Sequence, residues 1–514
     1  MTNPSDMLLQ QSGIGALDLP IAFDLLNKGE LDLAAAAFTK LLQGQPRMAQ
    51  AQFGLGLVAA QRGQFKEAAQ HHSRAIQLDR TLVEPYMALG NAFQAMQRFN
   101  QAAQAYRDGL RIGPGYAPLH FNMGICLRRM GEMDAAIVAL KNAVKLQPDH
   151  VMAWFSLGNA YRDKGDMAEA ERHYAEAVRI RPDYADAQCN LGGLYALREA
   201  HDLAVACFDA ALRQQPQHFF ALKNRSLSLF KLGRYAEGAV AAKAALSQQP
   251  DDMMLHYHMG EMVYGLMRIG DAAAARQLAE EWRSGYPDNA VAQHMAAAAL
   301  GETVPERAAD SYVRETFDRF SADFEQVLSG LDYKAPQLLT AAIAAALGDK
   351  SGLSVLDAGC GTGLCAPLLR PRASKLVGVD LSGGMLQKAQ ARQLYDALHE
   401  AELSAFLQAA PDQYDLAVAA DVFCYFGDLK PVLTDLAARM PTGALLAFTV
   451  ERIEGAAPAE GYRLDPTGRY AHAGSYIDTA LQSAGFSLNT MAEDAARVEM
   501  GKPVPCYVVT ARRA

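Results

Sequence analysis

The sequence predicts a two-part protein, an α-helical solenoid followed by an α/β domain built on a parallel sheet. Two observations carry this. Prolines stand at 114, 148, 182, 216 and 250, each 34 residues after the last. Further on, a short apolar run from Ser354 to Asp357 opens into glycines at 359, 361 and 363. A fixed period of this length marks stacked repeats. A strand, a glycine turn and a helix open a βαβ unit. The composition agrees: 514 residues exceed one compact core, and 50% apolar with 20% charged residues excludes a disordered or collagen-like chain. Aromatics are only 8%, which favours helices packed through small residues.

The repeat comes first in the chain. Glycines keep the step at 56, 90, 124, 158 and 192, with Ser226 as an exception before Gly260. Alanines keep it at 34, 68, 102, 136, 170 and 204. Within one unit, residues 153–161 carry apolar side chains at helical spacing, Gly165-Asp166 breaks the helix and starts the next, and Pro182 closes the unit. Gly158 and Ala170 let the two helices approach, while Trp154, Leu157, Tyr161 and Tyr174 fill the space between units. No unit can bury its apolar face alone, so the units stack.

Spacing and residue types resemble the tetratricopeptide repeat. Seven regular units run from residue 15 to 252, and an eighth, Met253 to Pro287, has three extra residues before Gly270-Asp271. Residues 290–300 read as a closing helix. The resemblance implies a groove lined by the first helix of each unit. It points to Asn91, Phe121, Asn122, Arg128, Asn159, Arg162, Asn190, Lys223 and Asn224 as groove positions, whose amides and guanidinium groups would bind a protein, peptide or glycan. The same residues also read as a solvated helix face.

The expected organisation is a tail over 1–14, the solenoid over 15–300, connecting or lid helices over 301–350, and the α/β domain over 351–514. Between solenoid and domain, Val313, Phe317, Phe320 and Phe324 share one helical face, read either as packing or as a cover over the site that follows.

In the α/β half, Asp-Ala-Gly-Cys-Gly-Thr-Gly occupies 357–363 and a second strand, 375–380, ends in Asp380. The form is not G-x-G-x-x-G, which disfavours a nicotinamide oxidoreductase. It resembles the first motif of Rossmann-like class I methyltransferases that use S-adenosylmethionine. Residues 378–386, 400–403, 414–426 and 445–451 follow in that family's order, and 485–486 with 506–512 suit its final antiparallel pair. The whole chain thus resembles bacterial methyltransferases that carry tetratricopeptide repeats.

That resemblance implies S-adenosylmethionine as cofactor and S-adenosylhomocysteine as product. The turn Gly359, Cys360, Gly361, Thr362 and Gly363 would offer backbone N–H groups to the amino-acid end, which Asp357 would orient. Asp380, with Leu381 beside it, would take the ribose hydroxyls; Met385 would pack on adenine; Glu402 and Leu403 would flank its amine. A sulfonium methyl is already activated, so alignment dominates, with a base where the acceptor carries a proton.

His399 is read as a surface residue in a helix before the third strand. His472, in a loop after the fifth strand, becomes the candidate base, with Asp421 and Glu451 as further catalytic candidates. Arg469, Tyr470 and Tyr476 join them as acceptor contacts, because loops beyond strand C-termini line the crevice. Asn159 and Arg162 represent the solenoid's contribution to acceptor binding. No metal site is expected: His256 and His258, two apart on a helix, face different directions. The alternative reading is a helical adaptor whose methyltransferase-like domain binds cofactor without turnover.

Bulk properties add limits. A net charge of −9 argues against a diffuse nucleic-acid binder. No apolar run is long enough for a bilayer, and residues 1–9 lack a secretory pattern. Seven cysteines without a C-x-x-C pair suit neither a disulfide framework nor a zinc ribbon, and a reducing cytoplasm is the expected compartment.

Overall fold

The computed structural model describes residues 18–301, 304–409, 411–499 and 501–514. The tail expected over 1–14 lies outside the described residues. Two compact units emerge, Met1–Ser228 and Leu229–Ala514.

Among the described residues, helix pairs alternate from Leu19–Asn27 with Leu31–Gly44 through Met253–Arg268 with Ala272–Gly285, and Ala290–Leu300 follows alone. In the first unit, the pair Val151–Lys164 and Met167–Ile180 shows what the period encodes. Gly165 ends the first helix at φ 90°, in the left-handed region that favours glycine. Asp166 caps the next, its carboxylate accepting from the Glu169 N–H.

The conserved step of small residues marks where aromatic rings fit. A Cβ at Gly158 would stand 2.6 Å from the Tyr174 ring; at Gly90 it would meet Tyr106, and at Gly192 Phe208. All three rings are fully buried. The Tyr174 hydroxyl then donates to Asn159 Oδ1 at 2.7 Å. Tyr106 donates to Asn91 in the same way, one two-unit step earlier.

The second unit holds helices Tyr235–Leu246, Met253–Arg268, Ala272–Gly285 and Ala290–Leu300, then Asp310–Phe320, Phe324–Gly330 and Ala335–Leu347. The extra residues of the eighth repeat lengthen its first helix to 16 residues. The sheet comes next: β1 Leu353–Ala358, β2 Ala373–Asp380, β3 Ala397–Glu400, β4 Leu416–Ala419, β5 Leu445–Arg452, β6 Tyr462–Leu464, β7 Tyr470–His472, β8 Phe486–Glu499 and β9 Lys502–Arg513. Strands β3-β2-β1-β4-β5 are parallel, and β9 adds antiparallel to β5, with β8 outside it. The last residues of β5 outrun β4 and pair with β7.

Alternation sorts the strands between two cores. Leu356, Val377, Ala417, Leu446 and Val509 face one, with helices Lys430–Ala438 and Gly474–Ser483. Val355, Leu376, Leu416, Leu445 and Val508 face the other, covered by Ala335–Leu347. Two readings change here. His399 belongs to β3, not to a helix, though it is exposed as expected. His472 belongs to β7, not to a loop, because residues 470–472 find a free partner on the overhanging end of β5.

Gly158→Val should crowd the Tyr174 ring and cost about 1–3 kcal/mol, the usual penalty of overpacking. Urea unfolding followed by circular dichroism would read this as an earlier first transition. An unchanged curve would mean that the ring has room to move.

Candidate active site

The parallel strands end at one edge of the sheet, and a cavity of about 310 Å³ lies there. From the strand ends, Asp357, Gly359, Cys360, Gly361, Thr362, Asp380, Leu381, Glu402, Leu403 and Asp421 line it. These residues are scattered over 65 positions of sequence, and the sheet order brings them together.

The turn after β1 is open to the cavity. Gly359, Gly361 and Gly363 have φ of 66°, 53° and 82°. A Cβ on Gly361 would meet nothing within 4 Å, so the space it faces is available to a ligand. The buried Thr362 hydroxyl has no partner. Asp380 accepts from the Gly361 N–H at 2.8 Å and from the Ser382 N–H at 2.9 Å, one on each oxygen. Each oxygen keeps a lone pair. Burial raises its carboxyl above the usual range, against the pull of those two N–H groups. Asp357 is completely enclosed, and burial pushes it up to about 7 although Tyr395 donates to it at 2.6 Å. A glycine cradle, an orphaned hydroxyl and two carboxylates with spare lone pairs fit the amino-acid and ribose ends of S-adenosylmethionine.

The opposite wall comes from the connecting helices. Val313, Phe317, Phe320 and Phe324 all line the cavity, joined by Val327 and Leu328. Polar contacts tie these helices to the strand side. Asp318 accepts from the Ser382 hydroxyl and the Gly384 N–H. Arg392 pairs with Glu325 at 2.7 Å and also donates to the Thr362 carbonyl. Arg307 pairs with Glu402 at 3.2 Å. The outer side of Asp310–Phe320 rests on the last repeat helices: Tyr312 stacks on His294 at 4.1 Å, and the Tyr257 and Thr316 hydroxyls lie 2.8 Å apart. His294 Nε2 in turn donates to the Gly468 carbonyl, next to Arg469.

A buried ion-pair network closes the third side. Arg497 on β8 is 3% exposed and pairs with Asp421, Glu451 and Glu499. Arg469 pairs with Glu451 and Glu499. Arg469, Arg497, Glu499 and Asp421 all reach the cavity. Asp421 sits at φ 56°, a strained value for a non-glycine residue, held by its N–H donating to Thr449 Oγ1 at 2.9 Å.

Several expected site residues lie elsewhere. His472 is fully buried, its Nε2 donating to the Gly427 carbonyl and its ring stacked on Tyr476. Burial depresses it to about 4. It does not line the cavity, so the geometry offers no path from this imidazole to an acceptor. Tyr476 donates to Asp428 and accepts from the Leu429 N–H, while the buried Tyr470 donates to the Pro305 carbonyl. Glu451 feeds the ion-pair network without reaching the cavity wall. Met385 points into the interior at 1% exposed, and Gly363 lies behind the wall, against Tyr395. Asn159 and Arg162 belong to the first unit. There Asn159 Oδ1 accepts from Tyr174 and Asn190, and Arg162 pairs with Asp163.

Sequence reasoning missed Arg497, Glu499 and Tyr395. Tyr395 and Arg497 lie far along the chain from Asp357 and Asp421, in segments with no motif of their own. One signal was available: Arg497 and Glu499 are charges at alternate positions of an expected strand, which calls for partners. Among the described residues no cluster of His, Cys, Asp or Glu suits a metal ion, and no helix is long and apolar enough to cross a membrane.

A family model described as a methyltransferase domain matches residues 331–489, and one described as a tetratricopeptide repeat matches five segments between 20 and 290. Malonyl-[acyl-carrier protein] O-methyltransferase of Salmonella typhimurium is 33% identical over 168 residues, which is 32% of this chain and 63% of that protein. The chain therefore spans less than two thirds of that relative. Methyltransferase-like protein 27 of Homo sapiens is 30% identical over 199 residues, 35% of this chain and 81% of that protein. A solved structure titled YrrB, a tetratricopeptide protein with an unusual peptide-binding site, shares 26% identity over 37% of this chain and 97% of its own, at a TM-score of 0.33.

Two predictions follow from the buried charges. Arg497→Met should strand Asp421 and should cost about 3–5 kcal/mol, the range for breaking a buried pair. Arg497→Lys, which keeps the charge but not the fork, should fall between; equal unfolding midpoints in urea would contradict both. For Asp357, folding favours the protonated form, whereas the unfolded chain releases its proton near pH 4. Its contribution to stability is therefore greatest below pH 4, falls as pH rises to about 7 and levels off above. Melting temperatures of Asp357→Asn should decline less steeply than those of the parent over that window.

With the parallel sheet, the repeats and the family models in agreement, the chain belongs to the methyltransferase family and carries tetratricopeptide repeats ahead of that domain.

Proposed function

We propose that the cavity holds S-adenosylmethionine along the ends of β1 and β2 and presents an acceptor to it from the side of the connecting helices. The observation that carries this is Asp380. Its carboxylate is fixed by two backbone N–H groups and keeps two lone pairs at the cavity. A diol meets such a carboxylate through two charge-assisted hydrogen bonds. The cofactor, when bound, supplies an electrophilic methyl on sulfur.

The chain's own residues do the rest. Gly361 leaves room for close approach, and the Thr362 hydroxyl finds the partner it lacks. Asp357, ionised on meeting an ammonium group, orients the amino-acid end. Glu402 and Leu403 border the adenine end. Phe317 and Phe324 give the wall opposite the strand ends an apolar face, which reduces the water around the reacting atoms. Arg497 engages Asp421 through Oδ2, leaving Oδ1 to accept a proton from the acceptor.

The solenoid's part in this reading is recruitment of a protein, peptide or glycan. Asn91 and Asn159 accept from neighbouring side chains through their carbonyls, so their amide nitrogens are oriented to donate to an extended chain. The acceptor is left open by the relatives, whose names span an acyl-carrier protein, magnesium protoporphyrin and demethylmenaquinone.

Calorimetry with S-adenosylhomocysteine and the full-length protein tests the cofactor assignment. Asp380→Ala removes two hydrogen bonds to a charged group and should weaken binding by about tenfold to several hundredfold. Parent-like affinity in that variant would refute the ribose assignment.

A further inference from the structure

We infer that the methyl acceptor is an amine carried on an apolar body, and not a free carboxylate. The inference rests on the methyltransferase reading and concerns the half of the cavity that the cofactor residues leave.

Two features of that half set the chemistry. Its wall is apolar and aromatic: Phe317 packs against Phe324 and Tyr425 with ring centroids 6.0 and 5.5 Å apart, and all three line the cavity. Its end is charged, and the charges do not cancel. Asp421, Glu451 and Glu499 bring three negative groups, and Arg469 and Arg497 bring two positive ones. The remaining lining cation, Arg307, is already paired with Asp310 and Glu402. Every cation on the cavity wall is thus engaged, and the network carries one surplus negative charge.

A carboxylate acceptor would add a second uncompensated anion beside half-buried charges, where unpaired charge is costly. An amine does the reverse. Protonated, it neutralises the surplus; neutral, it donates N–H to Asp421 Oδ1, the carboxylate oxygen that Arg497 leaves open. Aromatic faces next to this end also favour a cationic group over an anionic one. The strained backbone of Asp421 fits the same role, since it turns this carboxylate toward the cavity at the end of β4. A body of aromatic or long aliphatic character matches the side chains of the cover helices.

The test compares three probes that differ only in their head group: 4-phenylbutylamine, 4-phenylbutan-1-ol and 4-phenylbutyrate. Each is titrated calorimetrically into the full-length protein saturated with S-adenosylhomocysteine. The amine should bind at least tenfold more tightly than the carboxylate, with the alcohol between. Asp421→Asn should abolish the advantage of the amine over the alcohol while S-adenosylhomocysteine still binds. Equal or tighter binding of the carboxylate overturns the inference, as does an unchanged amine preference in Asp421→Asn. So does failure of all three probes in a protein that binds S-adenosylhomocysteine. If Asp421→Asn does not fold, the order of the three probes on the parent protein decides alone. Failure of the parent to bind S-adenosylhomocysteine would instead remove the cofactor reading on which this one stands.

Discussion

Arg497 is the residue on which the catalytic edge of the sheet depends. Its guanidinium gathers carboxylates from the ends of β4, β5 and β8, and Arg469 joins through two of them. Strand ends would otherwise present like charges to one another across an enclosed space. A planar fork with several N–H donors can satisfy them together, which a lysine could not do. The arrangement ties the residue after β4 to the end of β5, engages Asp421 in a backbone conformation it would not choose alone, and leaves one carboxylate oxygen toward the cavity.

The helices that cover this edge are held from both sides. Toward the strands they use Asp318, Glu325 and Arg307; toward the last repeat helices they use Tyr312 and Thr316. The same His294 that stacks on Tyr312 reaches the turn carrying Arg469. Repeat helix, cover helix and ion-pair network are therefore one continuous packing unit, consistent with a compact unit that begins at Leu229. The last repeats serve here as backing for the cover helix as much as the end of a solenoid.

What could be read in advance followed the range of the interaction. Gly158 and Tyr174 are 16 residues apart and recur with the period; the expectation set Gly158 against Ala170 and put Tyr174 between units, whereas the structure seats the Tyr174 ring on Gly158 within one unit. Asp357 and Asp380 sit on adjacent parallel strands with Gly361 in the turn between them, and local turn chemistry places all three. His472 shows the opposite case. Polar neighbours in sequence suggested a base at the crevice, but the overhanging end of β5 captured residues 470–472 as a strand and turned the imidazole toward Gly427. Met385 likewise faces the interior, because its position on a nine-residue helix and not its nearness to Asp380 sets its direction.

The sequence by itself determined the repeat, the order of the strands' motifs, the glycine turn and the class of chemistry. Each of these depends on residues close in the chain or on a strict period, where backbone geometry leaves few choices. Only the tertiary structure decided which polar side chains meet at the cavity. Arg497 finds Asp421 across 76 residues and Glu451 across 46. Such pairings depend on where β8 lies in the sheet and on how the strand ends align, and no local pattern encodes either.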